Sequence, residues 1–217
     1  MIREPRELSA QEQFWRGNFG SEYIARNQSA NLIASNLAFF AQALRGVVPV
    51  ESCLELGANA GMNLRALQLL YPGQEQYAVE INPQAADLLR EQIGKDHVFE
   101  GSISDFPVNR TYDLVLVKGV LIHINPDHLF SAYDVILQAS RRHVLIAEYY
   151  SPKPTAVSYR GHEDRLFKRD FAGELLDRSN KLRLVDYGFV YHRDVAKPLD
   201  DISWFLLELV NPPEGEH

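Results

Sequence analysis

The chain is poor in cysteine, in long apolar runs and in net positive charge. Its one cysteine, Cys53, has no partner for an internal disulfide, which excludes a cross-linked scaffold. The nearest approach to a membrane span, Tyr112 to Ile124, is interrupted by Asp113, Lys118 and His123, whereas a spanning helix needs about 20 consecutive apolar residues. The opening Met1-Ile2-Arg3-Glu4-Pro5-Arg6-Glu7 lacks the apolar stretch of a secretory signal. The expectation is a reducing cytoplasm and no membrane partner. With 22 Lys and Arg against 29 Asp and Glu, the net charge of −7 opposes general binding to a phosphate backbone, so nucleic acid is not an expected partner.

What is present is enough for one substantial core: 217 residues, of which 46% are apolar and 24% charged. Its charge is unevenly spread. Between Arg141 and Arg169 seven basic residues meet three acids, a local +4 that leaves −11 for the rest. A basic segment inside an acidic chain points to an anionic ligand, set against the commoner solvated surface.

Apolar residues at three- to four-residue spacing (Phe14, Trp15, Phe19, Tyr23, Ile24, then Leu32, Ile33, Leu37, Phe40) predict an N-terminal helical cap. Beyond it strand and helix patterns alternate. Strands are expected at 52–56, 76–80, 97–100, 112–117 and 142–147, and helices at 64–70, 84–93 and 127–139. An irregular stretch then precedes a helix at 171–178 and strands at 182–191 and 202–210, with a frayed tail after Pro212. Repeated β-α units imply a single Rossmann-like, doubly wound, mostly parallel α/β sheet. The expected division is a cap or lid over 1–46, a ligand-binding core over 47–150, and an acceptor-site segment with the last strands over 151–217.

In such a sheet ligands sit beyond the carboxyl ends of the strands. The first strand ends in Glu55-Leu56-Gly57-Ala58-Asn59-Ala60-Gly61, whose glycines permit a tight turn and close approach of a ligand. A dinucleotide turn requires glycine where this chain has Asn59 and Met62, and no Gly-Lys-Ser/Thr follows, so a nicotinamide cofactor and a P-loop are both disfavoured. Glu80, ending the second strand, stands where a carboxylate accepts hydrogen bonds from both hydroxyls of an adenosine ribose. Asp105, in Gly101-Ser102-Ile103-Ser104-Asp105-Phe106, is placed to accept from an adenine amino group, with Ile103 or Phe106 over the ring; by itself it reads as a turn cap.

Glu55-x-Gly57-x-x-x-Gly61, Glu80 and Ser102 to Asp105 resemble the cofactor motifs of class I S-adenosylmethionine-dependent methyltransferases over about residues 48–150. Across nearly the whole chain there is also a resemblance to the methylases associated with pseudaminic acid biosynthesis. It is carried by Phe14 to Gly20, Leu54 to Leu64, Val117 to Ile124, Tyr159 to Asp170, and Asp200-Asp201 with Trp204. The resemblance implies the class I methyltransferase fold with a seven-stranded sheet, S-adenosyl-L-methionine as cofactor, and methyl transfer to a small anionic sugar or its nucleotide-activated form. Methylation of another small molecule, or cofactor binding without catalysis, is the alternative.

Under that resemblance the cofactor set is Trp15, Tyr23, Arg26, Glu55, Gly57, Asn59, Gly61, Glu80, Ile81, Ser102, Ile103, Asp105, Lys118 and Gly119. Arg26 would pair with the methionine carboxylate as a forked donor, in a lid with Phe14, Trp15, Tyr23 and Asn27. His123 is the catalytic candidate, a base for an acceptor hydroxyl or else a packing residue beneath the adenosyl group. Tyr149, Tyr150, Tyr159, Arg160, His162, Arg165, Lys168 and Arg169 are the expected acceptor-binding residues, with cationic forks for an acid and rings for sugar faces. His123 and His162 are too isolated for a metal site, and Asp200-Asp201 reads as a turn before the last strand.

Overall fold

The computed structural model describes residues 6–26, 29–47 and 50–210, with the side chains of Ala25, His162, Glu163 and Asp164 outside that description. Asn27 and the tail after Pro212 therefore lie outside the described residues. The cap consists of α1 (Ala10–Arg16), α2 (Asn18–Arg26) and α3 (Ala30–Ala43). Ser9 starts α1 with a capping box: its side chain accepts the Glu12 N–H while Glu12 accepts the Ser9 N–H, so two orphan helix-end donors are satisfied. Ser29 accepts from the Leu32 N–H at the start of α3, which buries Phe39, Phe40 and Ala43.

The core runs β1 (Ser52–Leu56), α4 (Met62–Leu70), β2 (Glu75–Glu80), α5 (Pro83–Ile93), β3 (Val98–Glu100), β4 (Tyr112–Lys118), α6 (Leu129–Ala139) and β5 (Ser140–Glu148). It continues with the hairpin β6 (Thr155–Tyr159) and β7 (His162–Lys168), then α7 (Phe171–Arg178), β8 (Leu182–Val190) and β9 (Ile202–Leu209). The sheet order is β3-β2-β1-β4-β5-β9-β8. β1 to β5 are mutually parallel, and β9 is antiparallel to both its neighbours. Chain order reverses between β1 and β4, which puts the ligand crevice at their carboxyl ends.

Both faces of the sheet are covered. Leu54, Val115, Val117 and Ile146 pack with α6 and α7 on one side, while Cys53, Leu114, Leu116 and Leu145 pack with α3 and α4 on the other. Each such fully buried aliphatic side chain contributes about 1.5–3 kcal/mol. The seven-stranded, mostly parallel doubly wound sheet with its helical cap is thus as expected.

Two local expectations are corrected. The stretch read as irregular contains the β6–β7 hairpin, turning at Arg160 (φ 50) and Gly161 (φ 84). The helix expected from Asp127 starts at Leu129, because Pro126–His128 forms a separate 3-10 turn. Among the described residues no helix is long and apolar enough to cross a membrane.

Candidate functional site

The turn after β1 is built from left-handed residues: Gly57 (φ 76), Asn59 (φ 48) and Gly61 (φ 75). A Cβ on Gly57 would stand 2.6 Å from Val120 Cγ2, so side-chain bulk as well as φ excludes other residues there. Asn59 tolerates its conformation because its Oδ1 accepts the Ala60 N–H at 2.6 Å. Glu80 closes the turn from β2. Its Oε2 accepts the Asn59 N–H and its Oε1 the Asn82 N–H, each at 2.7 Å. Burial raises the Glu80 pKa above the usual carboxylate range, against the pull of these N–H donors.

A cavity of about 510 Å³ opens beside this turn. On its wall stand eleven of the expected residues: Trp15, Tyr23, Gly57, Asn59, Glu80, Ile81, Ser102, Ile103, Lys118, Gly119 and His123. Four expected cofactor residues stand off it. Glu55 is 1% exposed behind wall residue Asn63, whose Nδ2 donates to Glu55 Oε1 at 2.6 Å. Gly61 is the N-cap of α4. Arg26 is exposed, its guanidinium over the rings of Phe19 and Tyr23 at 5.6 and 5.9 Å. Asp105 accepts from Arg6 Nε at 3.0 Å. The Arg26 guanidinium thus lies on aromatic faces of the cap, and the Asp105 carboxylate is held by an arginine of the cap.

His123 lies on the turn after β4. Its Nδ1–H donates to the Arg165 carbonyl at 2.6 Å, which fixes the tautomer and leaves Nε2 as an acceptor. The ring packs against Trp15 and Tyr159, with centroids 4.6 and 4.9 Å away. Burial pushes its pKa down to about 4, so the imidazole is neutral at physiological pH. The same turn is held from β5 by Glu148, whose Oε1 accepts the Val120 and Leu121 N–H groups at 2.8 and 2.9 Å.

The described side chains of the expected acceptor-side set do not line the cavity. Tyr159 stands one layer out, against Trp15 and His123, with Arg160 over its ring at 5.6 Å. Arg165 lies over Phe14 at 5.5 Å and Lys168 over Tyr149 at 5.2 Å. Arg169 donates to Glu174 at 2.7 Å, and Tyr150 is exposed beside Phe205. The His162 side chain lies outside the described residues. The hairpin forms the outer rim, and its cations partner rings and an acid before they reach the cavity.

Sequence reasoning missed several wall residues, among them Gln11, Glu12, Asn36, Asn63, His192 and Asp200. Asn36 gave a signal only in retrospect, as a polar residue within the apolar α3. It is 1% exposed and its Oδ1 has no partner; Asn63 Oδ1 and Trp15 Nε1 are likewise unpartnered. Asp200-Asp201 stands just before β9, where the Asp201 carboxylate accepts the His192 N–H at 3.0 Å. Asp200 itself stands on the cavity wall.

Residues 54–140 match the model of a family described as a methyltransferase domain. No curated protein matches the chain. Among solved structures, the Burkholderia thailandensis 1,6-didemethyltoxoflavin-N1-methyltransferase, with bound 1,6-didemethyltoxoflavin and S-adenosylhomocysteine, is 20% identical at a TM-score of 0.67, covering 96% of this chain and 94% of its own. Mitomycin 7-O-methyltransferase is 16% identical at a TM-score of 0.64, over 93% of this chain and 61% of its own. Magnesium protoporphyrin IX methyltransferase from Synechocystis PCC 6803, with bound S-adenosylmethionine, is 11% identical at a TM-score of 0.64, over 95% and 100%. At these identities the likeness shows the fold.

Proposed function

We propose that this chain is an S-adenosylmethionine-dependent methyltransferase that acts on a small acidic sugar or its nucleotide-activated form, within nonulosonic (pseudaminic) acid biosynthesis. The observation that carries the cofactor assignment is Glu80, a buried carboxylate on the cavity wall beside a turn with three left-handed residues, Gly57, Asn59 and Gly61. Its lone pairs beyond the two backbone bonds suit a vicinal diol. The unpartnered Asn36 Oδ1 and Asn63 Oδ1 suit an ammonium group, and Ile81 and Ile103 offer apolar faces to an adenine. The residues present therefore fit the cofactor.

When bound, S-adenosylmethionine supplies a methyl group made electrophilic by its sulfonium. The chain has to align the acceptor with that methyl, which is mainly a task of positioning. Gly57 and Gly119 let backbone approach, Trp15 and Tyr23 cover the cavity from the cap, and His123 Nε2 takes the proton of an acceptor hydroxyl. Support for a sugar acid is the motif resemblance along the chain together with the basic hairpin at the rim. A second reading, a less acidic small molecule, is favoured by one observation: among the described residues Lys118 is the one Lys or Arg on the cavity wall.

The test is mass spectrometry of free and nucleotide-linked acidic sugars incubated with the chain and labelled S-adenosylmethionine. Labelled methyl on an acidic sugar supports the proposal. Transfer only to neutral acceptors selects the second reading.

A further inference from the structure

The cap meets the core on a buried side chain that stands off the cavity wall. Asn82, two residues beyond Glu80, is 2% exposed and is the N-cap of α5. Its Oδ1 accepts the Gln84 and Ala85 N–H groups at 3.0 and 3.2 Å, which starts that helix. Its Nδ2 points the other way, into the junction of α1 and α2. There it lies 3.2, 3.3 and 3.4 Å from the carbonyls of Trp15, Arg16 and Gly17, and 3.3 Å from Ser21 Oγ. The carbonyls that end a helix have no partner within it, so the Asn82 amide completes α1 from outside. Backbone N–H groups on one side and carbonyls on the other fix which amide atom is oxygen and which is nitrogen.

The Asn82 backbone N–H, donated to Glu80 Oε1 at 2.7 Å, extends the link to the cavity wall. One residue thus joins the wall carboxylate, the start of α5 and the end of α1. In turn α1 and α2 carry Gln11, Glu12, Trp15 and Tyr23 of the wall. The cap is shaped to the same point: a Cβ on Gly20 would collide with the Trp15 carbonyl and stand 2.9 Å from Asn82 Nδ2. Ion pairs also cross from cap to core, Arg6 with Asp105 and Arg16 with Glu100, but their side chains are partly exposed, where such pairs contribute little.

We propose that Asn82 is a positioning residue: its amide latches the cap over the cavity, and affinity for S-adenosylmethionine depends on that latch although Asn82 does not line the cavity. The ligand in this statement rests on the methyltransferase reading above; the latch rests on the hydrogen bonds alone. A cap that is closed only part of the time lowers the apparent affinity by the fraction closed. The dependence is mutual, because a ligand that binds the closed cap better also holds it closed.

Two substitutions separate the latch from the helix cap. Asn82→Asp and Asn82→Ser each keep an oxygen for the Gln84 and Ala85 N–H groups, and the three residue types start helices about equally well. Both remove the amide donor to α1. The serine adds no charge, so it guards against a direct electrostatic effect of the aspartate on the ligand.

In the ligand-free full chain, both variants should show faster hydrogen exchange across α1 and α2, with α5 at the parental level. Trp15 emission should shift to the red over a constant background from Trp204, which is buried in the core. Isothermal titration with S-adenosylmethionine should give binding weaker by roughly 5- to 100-fold. Gly20→Ala, which wedges the same junction from the cap side, should reproduce the pattern. Parental exchange in the cap, faster exchange confined to α5, or a loosened cap with parental affinity each overturns the proposal. A parent chain that binds no S-adenosylmethionine overturns the methyltransferase reading and with it the dependence of affinity on Asn82, while the exchange and emission shifts still decide the latch.

Discussion

The His123 ring and the Arg165 carbonyl are joined by a 2.6 Å hydrogen bond that ties the turn after β4 to the β6–β7 hairpin. Because a carbonyl only accepts, the imidazole proton sits on Nδ1 and the lone pair on Nε2. Burial holds the group down at about 4. In a pH–rate profile His123 should therefore cause no loss of turnover near its ordinary value of about 6.5, the decline coming only as pH falls toward 4. His123→Ala should lower kcat by about 10²–10⁴ if Nε2 takes a proton, with cofactor affinity changed much less. Full retained turnover would leave the ring only its packing role between Trp15 and Tyr159.

Glu80→Ala removes the acceptor for the Asn59 and Asn82 N–H groups as well as the proposed ribose contact. A hydrogen bond to a charged group is worth about 1.5–3 kcal/mol, so S-adenosylmethionine affinity should fall by roughly 10- to 100-fold. Titration calorimetry measures it, and an unchanged dissociation constant removes Glu80 from the cofactor site.

Gly57→Ala should destabilise the chain. Left-handed backbone costs a non-glycine residue of order 1–3 kcal/mol, and the new Cβ would stand 2.6 Å from Val120 Cγ2. For a chain of this size each kcal/mol shifts Tm by roughly 2–4 °C. Thermal unfolding of the two proteins decides the point, and an equal Tm would mean that the turn yields.

The sheet and the turn at Gly57 were legible because their signals are local: continuous apolar strands, glycine at the strand end, an acid ending β2. The β6–β7 hairpin was not. Two-residue hairpin turns are usually announced by Asn-Gly or Asp-Gly, whereas this one places Arg160 at positive φ before Gly161. The contacts of Arg26 with Phe19 and Tyr23, and of Asp105 with Arg6, were not legible, because sequence spacing does not show which side chains meet across the cap. Asn36, His192 and Asp200 reach the wall from segments far apart along the chain, so their convergence is tertiary and carries no local pattern.

Stability should fall as pH rises from about 6.5 to about 8.5. Glu55 and Glu148 are raised in the folded chain to about 8 and about 7, so what they contribute is complete below the unfolded value of 4.5 and is lost as pH climbs through those numbers. His123, lowered to about 4, works in the opposite direction below 6.5: its contribution is complete above that value and is lost as pH falls toward 4. In the window between, the carboxylates dominate. Melting curves of the ligand-free chain should show the decline, and Glu148→Gln should flatten it; parallel pH profiles for the two would deny Glu148 a part in it.

The hairpin cations set a final, sharper distinction. Arg160 is exposed at the turn, over Tyr159, and Lys168 lies over Tyr149. Both remain at the rim, so they act on an acidic acceptor by attraction through water-exposed space, where a charge pair is worth about 0.2–1 kcal/mol. Arg160→Ala combined with Lys168→Ala should therefore raise KM for an acidic sugar by roughly twofold to tenfold. Cofactor affinity and kcat should stay near their starting values. Salt screens such interactions over about 10 Å at 0.1 M, so the difference between the variant and the parent chain should shrink as ionic strength rises. A KM that changes equally for acidic and neutral sugars, at all salt concentrations, would assign the two side chains to packing of the aromatic rim and not to recognition of charge.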